Sequence, residues 1–305
     1  MNGMNKLQAN LCLLCVTLCW STEVIIYACI PDAVSPYAIN CLTSAIGAAL
    51  LIAAFWKRIK EAFKTHGKGL LKACIWLGVL DAAYNTMYIY GLNDFDVSTG
   101  AFTISMTAVV LPVILLSMRQ KTDLNTWISA VLVLIGIFVS YIGNVSIGQA
   151  AGFLLLLGGC IIRAVYIIEV NRFAKKYDPL SMSTIMCVLI AVMSFGFWFA
   201  GDKHTFASIE WSRQLIASIF IYSYFIVAFA QTLNFFAQRR TTPANATVVY
   251  SLEIVFSIIW GMILPASLVD PVKLSPYIVI GALFVVAGNL VVLLDFKALG
   301  KKEAV

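Results

Sequence analysis

Four ionisable residues lie deep inside long apolar stretches of this chain: Glu23, Asp81, Arg163 and Glu253. Placing such a group in an apolar medium costs about 2.5–3.5 kcal/mol on insertion scales, so it faces a cavity or a partner. At a rise of about 1.5 Å per residue, Glu23 lies about 12 Å in from Pro31, Asp81 about 13 Å beyond Lys72 and Glu253 about 20 Å beyond Arg240. Polar and aromatic residues recur around them at helical spacing. Trp20, Glu23 and Tyr27 fall at i, i+3, i+7, and Asp81, Tyr84, Asn85 and Tyr88 at i, i+3, i+4, i+7. Thr99, Thr103 and Thr107 recur every fourth residue, and Arg163 and Tyr166 are three apart. Tyr224 and Gln231 are seven apart, with Asn234 three further on, and Tyr250, Glu253 and Ser257 repeat the first pattern. Each set occupies one helical face.

Carboxylates and ring faces attract ammonium groups. A guanidinium holds a carboxylate through two hydrogen bonds. A carboxylate that takes up and releases a proton can carry a coupling ion, which makes Asp81, Glu23 and Glu253 the proton-coupling candidates. Each face also has a structural reading. Ser and Thr in apolar helices cap backbone or join helices, which applies to Thr99 and Thr103. Tyr27 and Tyr90 suit an interfacial aromatic belt. Arg163 can serve as a structural partner of Glu23 or Glu253, although three deep carboxylates exceed what one arginine neutralises. Glu169 lies one turn from Arg172 and reads as an interfacial ion pair, and Asp295 is near an exit.

These faces need elements to position them. Ten apolar segments of about 20 residues run through the chain, each long enough for a hydrocarbon core about 30 Å thick. They span 7–30, 36–56, 69–91, 97–118, 124–142, 151–170, 180–201, 215–237, 244–264 and 274–294. Segments one, three, four, six, eight and nine carry the polar faces. The others are comparatively bare, with Asn144 and Asn289 near span ends. None alternates with period two, so they read as helices. Sixty-one percent of the residues are hydrophobic and 12% charged, a balance that excludes a soluble chain of 305 residues. The longest polar stretch, Lys57–Lys68, reads as a loop too short to fold alone.

The second half echoes the first. Ser35-Pro36 closes the first hairpin and Asp178-Pro179 the sixth, 143 positions later, which sets Trp20 opposite Arg163 and Glu23 opposite Tyr166. Further on the offset is 146, setting Asn85 opposite Gln231, Ser105 opposite Ser251 and Thr107 opposite Glu253. A unit with an odd number of spans enters the membrane inverted relative to its twin, as secondary carriers do. The expected fold is therefore an all-α membrane protein of ten transmembrane helices in two inverted five-helix repeats, 1–145 and 146–305, forming one integral membrane domain.

The net charge of +6 would suit nucleic acid, but its distribution argues against that. On the N-terminal side fall 17 Lys and Arg residues and on the opposite side 3, with Arg163 inside a span. This bias sets both termini in the cytoplasm, with the basic loops beside anionic lipid. Cys12, Cys15 and Cys19 share one face. With no histidine or further ligand pair beside them, they read as small apolar residues, and no metal or cofactor is expected. The first segment exceeds a typical signal-peptide core and the second follows at once, so it reads as a retained span.

Cys19-Trp20-Ser21-Thr22 is similar to the tryptophan-small-small opening of EamA-type members of the drug/metabolite transporter superfamily. Gly91-Leu92 followed by a small-residue helix with Pro112 resembles that family's third-to-fourth-helix junction. Thr242-Pro243-Ala244-Asn245-Ala246 leading into Ser251-Leu252-Glu253 resembles its second-repeat junction. The resemblance spans 7–296. The chain departs from it at Arg119-Gln120-Lys121 and Pro265-Ala266-Ser267, where a glycine-acid turn is frequent, and at Arg163, where an aromatic is usual.

The resemblance implies alternating access around a central cavity. The expected function is that of a secondary active transporter in the cytoplasmic (plasma or inner) membrane. It moves a small organic metabolite, an amino acid or other zwitterionic or cationic compound. A quaternary-amine or drug-like cation carrier is the alternative, and a non-transporting receptor or channel-like protein a further one. An enzyme would need a histidine cluster, a metal-ligand set or a nucleophile–base pair. Expected substrate-binding residues are Trp20, Glu23, Asp81, Tyr84, Asn85, Tyr88, Thr103, Thr107, Arg163, Tyr166, Gln231, Asn234, Tyr250 and Glu253. Expected partners are the substrate and the bilayer, with a monomer or weak dimer as the assembly.

Overall fold

The computed structural model describes residues 5–31, 33–92, 105–120, 122–141, 150–265 and 275–293. Among them every regular element is helical. In chain order these are α1 (Lys6–Ser21), α2 (Glu23–Tyr27), α3 (Pro36–Leu92), α4 (Thr107–Ser117), α5 (Leu124–Tyr141), α6 (Ala150–Lys176), α7 (Pro179–Gly201), a 3₁₀ turn (Lys203–Phe206) and α8 (Arg213–Tyr222). A π-helical stretch (Ser223–Ala230) follows, then α9 (Gln231–Gln238), α10 (Pro243–Tyr250), α11 (Leu252–Ile263) and α12 (Pro276–Leu293). By length and composition six apolar helical stretches suffice to cross a membrane: Leu7–Tyr27, Pro36–Tyr88, Ala151–Lys176, Pro179–Gly201, Arg213–Gln238 and Pro243–Ile263. Thr107–Ser117, Leu124–Val139 and Pro276–Val291 are apolar but shorter. The expected repeat boundary at 145 and the residues Asp32, Thr99, Thr103, Asn144 and Asp295 lie outside the described residues.

The starts of several helices follow from local chemistry. Asn5 and Gln8 form a reciprocal capping box on α1. Asp178 caps α7 by accepting from the Ser181 amide, with Pro179 in the first turn. Thr242 and Pro243 start α10 the same way. Both expected hairpin prolines, Pro36 and Pro179, begin helices.

Lys57–Lys68 is helical and not the expected loop. The helix α3 continues through it, bent where Phe55 (φ −131°, ψ 22°) and His66 (φ −134°, ψ 15°) leave helical geometry. The chain nevertheless reverses there, as its contacts along α7 show. Ile39 packs with Trp198 and Leu51 with Cys187, so the first limb descends. Gly69 meets Tyr177, Cys74 Sγ lies 3.9 Å from the Met182 carbonyl, and Gly78 reaches Met193, so the second limb climbs. That second limb runs antiparallel to α6. Gly159 lies against Tyr84, Gly158 against Met87 and Gly91 against Leu156. Helices α5 and α12 touch most closely at glycines. A Cβ on Gly136 would come within 2.6 Å of the Gly281 carbonyl, and Ser129 Oγ donates to the Gly288 carbonyl at 2.6 Å. Small residues at such crossings let backbones approach where lipid offers no hydrophobic drive.

Three segments expected as single helices are interrupted near their middles. Between α1 and α2, Ser21 Oγ donates to the Leu18 carbonyl and Thr22 Oγ1 to that of Cys19, each at 2.7 Å. Between α10 and α11, Ser251 Oγ donates to the Val248 carbonyl at 2.6 Å. Hydroxyls bonded back to carbonyls in this way compete with the helical ladder and bend it. The fourth segment has a turn at Met106, one residue past Ser105, which the offset of 146 sets opposite Ser251, so the two turns fall within one residue of corresponding places.

Candidate functional site

The turns at Met106 and Ser251 adjoin a narrow cleft of about 10 Å³, room for a water molecule and not for a substrate in this state. Ser105, Thr107, Ala108, Arg163, Ile167, Thr247, Tyr250, Ser251 and Glu253 line it. At its centre Arg163 Nη2 stands 4.0 Å from Glu253 Oε2, with side chains 13% and 28% exposed. The Arg163 charge acts on all three deep carboxylates, Glu23, Asp81 and Glu253. The expected neutralising contact therefore falls on Glu253, at the outer limit of an ion pair. Isolated burial of either group would cost several kcal/mol, which their mutual attraction at this distance offsets only in part. Thr107 is buried and hydrogen-bonded to Cys160, and Tyr88 lies within the field of Arg163, Glu253 and Glu23.

The other expected residues gather around this pair in layers. Asp81 is held on its own helix, where Tyr84 Oη donates to Oδ1 at 3.0 Å and Asn85 Nδ2 to Oδ2 at 3.3 Å. The Tyr84 ring lies 5.5 Å from that of Tyr166, whose hydroxyl accepts from Gln231 Nε2 at 3.2 Å. Asn85 and Gln231, expected opposite each other, thus attend the two rings of one aromatic pair. Trp20 lies 5.2 Å from the Tyr250 ring. The Tyr250 hydroxyl donates to Asn234 Oδ1 and accepts from Gln238 Nε2 at 3.0 Å. Asn234 and Tyr250 are buried, so they form the floor of the site. Thr103 lies outside the described residues.

Glu23 is held differently. It opens α2 just past the Thr22 break and accepts from the Tyr222 hydroxyl. The Tyr222 ring meets that of Tyr27 edge-on at 5.4 Å. Tyr27 therefore packs inside and not in the aromatic belt, whereas Tyr90 is 56% exposed, as a belt residue would be. Tyr224, which its spacing of seven sets on the Gln231 face, is 54% exposed. The cause is the π-helical stretch Ser223–Ala230. Its wider turns mean that seven residues no longer return to the same face.

Asn289, placed by sequence only near a span end, and Trp260, not singled out by sequence, both reach the breaks. Asn289, on the bare tenth segment, is buried and donates to Ser251 Oγ at 3.0 Å, while Trp260 Nε1 donates to Ser21 Oγ at 3.0 Å. The breaks beside Ser21 and at Ser251 thus each carry a hydroxyl that accepts from another helix. A lone asparagine in an otherwise apolar helix was the available signal for Asn289. Glu169 and Arg172 do pair, at 3.4 Å. Among the described residues no group of three His, Cys, Asp or Glu side chains is placed to hold a metal ion.

Comparison with known proteins agrees with this architecture. An uncharacterized transporter of Archaeoglobus fulgidus is 24% identical over 282 residues, 89% of this chain and 82% of that protein. A solved crystal structure superposes with a TM-score of 0.72, covering 93% of this chain and 96% of the other, at 17% identity, which speaks to the fold alone. The model of the EamA-like transporter family matches twice, over residues 7–142 and 150–294. Matched in both halves and over nearly its whole length, the chain belongs to the EamA-like transporter family.

Proposed function

We propose that this protein is a secondary active carrier for an amino acid or a similar small zwitterion, working by alternating access between two inverted five-helix repeats. The observation that carries the substrate class is the Arg163–Glu253 pair, 4.0 Å apart in a cleft lined by Tyr250, whose ring meets Trp20. A substrate carboxylate entering beside Glu253 finds a guanidinium that is incompletely engaged. A substrate ammonium finds the Glu23 carboxylate beside the Tyr27–Tyr222 pair. That second cluster also favours a quaternary-amine carrier as the alternative, since it needs no carboxylate on the ligand.

Asp81 is the proposed coupling site. It bonds to neutral groups on its own helix, while Glu253 is the carboxylate paired with Arg163. Orientation rests on the bias of basic residues, which places the Lys57–Lys68 stretch and both termini in the cytoplasm. Cysteine labelling from outside should reach Lys203→Cys and miss Lys64→Cys, and the reverse pattern overturns this orientation.

The test of function begins with a thermal-shift screen of amino acids, their decarboxylated amines and quaternary amines. Stabilisation by the amino acid and not by its amine supports the zwitterion reading, and equal response to the amines selects the alternative. Reconstituted with the ligand so found, Asp81→Asn should lose proton-driven accumulation while retaining substrate counter-exchange. Accumulation at the wild-type level removes Asp81 from the coupling role. Loss of both activities assigns it to binding or folding.

A further inference from the structure

A second, larger cavity opens where α3 bends at His66 and meets the α6–α7 junction. It measures about 770 Å³ and is lined by Phe63, Lys64, Thr65, His66, Gly67, Lys68, Gly69, Leu71, Lys176 and Tyr177. Three of these carry ammonium groups, and all three are exposed. Among the described residues none of the three forms an ion pair. Asp178, two residues after Lys176, is already engaged by Arg58 at 2.6 Å and by the Ser181 amide and hydroxyl. The pocket therefore concentrates positive charge that the protein does not neutralise.

Its walls are built for more than charge. Tyr177 is 6% exposed and forms the back wall, edge-on to His66 at 5.9 Å, with Lys176 Nζ 5.2 Å from its ring centre. A Cβ on Gly69 would stand 2.7 Å from the Tyr177 hydroxyl, so glycine is what lets the ring sit there. Phe63 and Leu71, 42% and 39% exposed, supply an apolar rim. The pocket lies at one end of apolar helices that cross a membrane, so that rim meets the zone between headgroups and acyl chains. Basic pockets at that level suit acidic headgroups.

We propose that this pocket binds the headgroup phosphate of an acidic phospholipid, with Lys64, Lys68 and Lys176 around the phosphate and Phe63 and Leu71 against the start of the acyl chains. A free phosphate would use the lysines and leave the apolar rim idle. The bound lipid bridges the α3 bend to the α6–α7 junction, which joins the first repeat to the second.

The full-length protein in mixed phosphatidylcholine and phosphatidylglycerol nanodiscs provides the test, by native mass spectrometry of retained lipid and by melting temperature. The wild type should retain phosphatidylglycerol over phosphatidylcholine by about tenfold and melt at a higher temperature when it is present. The triple change Lys64→Gln, Lys68→Gln and Lys176→Gln should abolish both effects. The charge-matched control Lys57→Gln, Lys60→Gln and Lys72→Gln should keep them, as should arginine at the three pocket positions. Gly69→Ala should weaken retention with every lysine intact. Equal loss in the pocket and control variants overturns the site in favour of diffuse surface attraction. Stabilisation of detergent-solubilised protein by inorganic phosphate to the same degree as by the lipid overturns the lipid assignment, and absence of any headgroup preference overturns the pocket altogether.

Discussion

At the end of the bundle where α1 begins, one apolar cluster joins helices of both repeats. Leu13, Leu70, Leu77, Leu111, Met182, Phe235 and Val249 all belong to it. Among the described residues the remaining apolar contacts fall into smaller clusters. Ile30, Val34, Ile39, Trp198, Leu215 and Ile219 form one cluster, and Ala108, Val133, Ile137 and Ile254 another that shares no helix with it. Ala48, Leu51, Cys187 and Ala228 form a further small cluster, so one large seam stands beside three small blocks. Arg163 and Glu253 sit at the fork. Ala164 and Tyr250 next to them belong to the continuous cluster, and Ile254 to one of the separated ones. Under the proposed alternating mechanism, the large seam and the small blocks are the contacts the two states would exchange.

The largest test of this contrast lies at the fork itself. One guanidinium acts on three carboxylates, so the members of the cluster are not equivalent. Arg163→Leu leaves Glu23, Asp81 and Glu253 without a cation, whereas Glu253→Gln leaves Arg163 with two carboxylates in its field. Breaking a buried pair from one side costs about 3–5 kcal/mol. Arg163→Leu should fall at the upper end of that range and Glu253→Gln clearly below it, measured by reversible unfolding in mixed micelles. Combining Arg163→Leu with Glu253→Leu should recover part of the loss. Equal costs for the two single changes would mean that Arg163 serves Glu253 alone.

A smaller effect separates the seam from the blocks. Phe235 is fully buried in the continuous cluster. Phe235→Ala should cost about 3 kcal/mol, the low end for a phenylalanine taken from a packed core, because lipid already solvates apolar surface in the unpacked state. Ile137→Val, in one of the separated clusters, should cost about 0.5–1.5 kcal/mol. The sharper reading is transport. If the continuous seam is what holds the carrier shut, Phe235→Ala should raise the accessibility of Cys74, buried in that seam, to a thiol reagent, and Ile137→Val should leave it unchanged. Unaltered Cys74 labelling in Phe235→Ala would detach the seam from gating.

Much of this was legible in residue order. Helix-length apolar runs, hairpin prolines and deep carboxylates are local features, and the physics that reads them is local too. The fold of the α3 limbs along α7 follows from the segment boundaries at Trp56 and Gly69, even though the Lys57–Lys68 stretch between them stays helical. The register around Tyr222 was not legible. A π-helical stretch is set by tertiary packing, and eight residues with wider turns move an entire face without altering the apolar pattern. The breaks at Thr22 and Ser251 were equally hidden. Serine and threonine bond back to carbonyls in many unbroken helices, and only the surroundings decide whether the ladder yields. Asn234 and Tyr250 show the limit of face-reading in another way. They share the side on which the site lies, but they are buried in a hydrogen-bonded floor beneath it.

The smallest expected effect concerns that last class of contact. Asn289 reaches from α12 to Ser251 Oγ at 3.0 Å and also donates to its own helix at Val285, 2.9 Å away. Interhelical hydrogen bonds of this kind average about 0.6 kcal/mol in membrane proteins, because the separated helices find other partners. Asn289→Leu should therefore cost about 0.6 kcal/mol in unfolding free energy, well below either change at the fork. Its geometric consequence should be larger than its energetic one. Ser251 also donates back to Val248, and the bond from Asn289 holds that hydroxyl in place at the break. Ser251→Ala removes both interactions, so it should straighten the α10–α11 junction and alter substrate affinity more than stability. A double-mutant cycle between Asn289→Leu and Ser251→Ala, followed by ligand affinity and unfolding together, separates the two. Coupling in affinity with little coupling in stability would make the break a shaped part of the site, and coupling in stability alone would make it a packing joint.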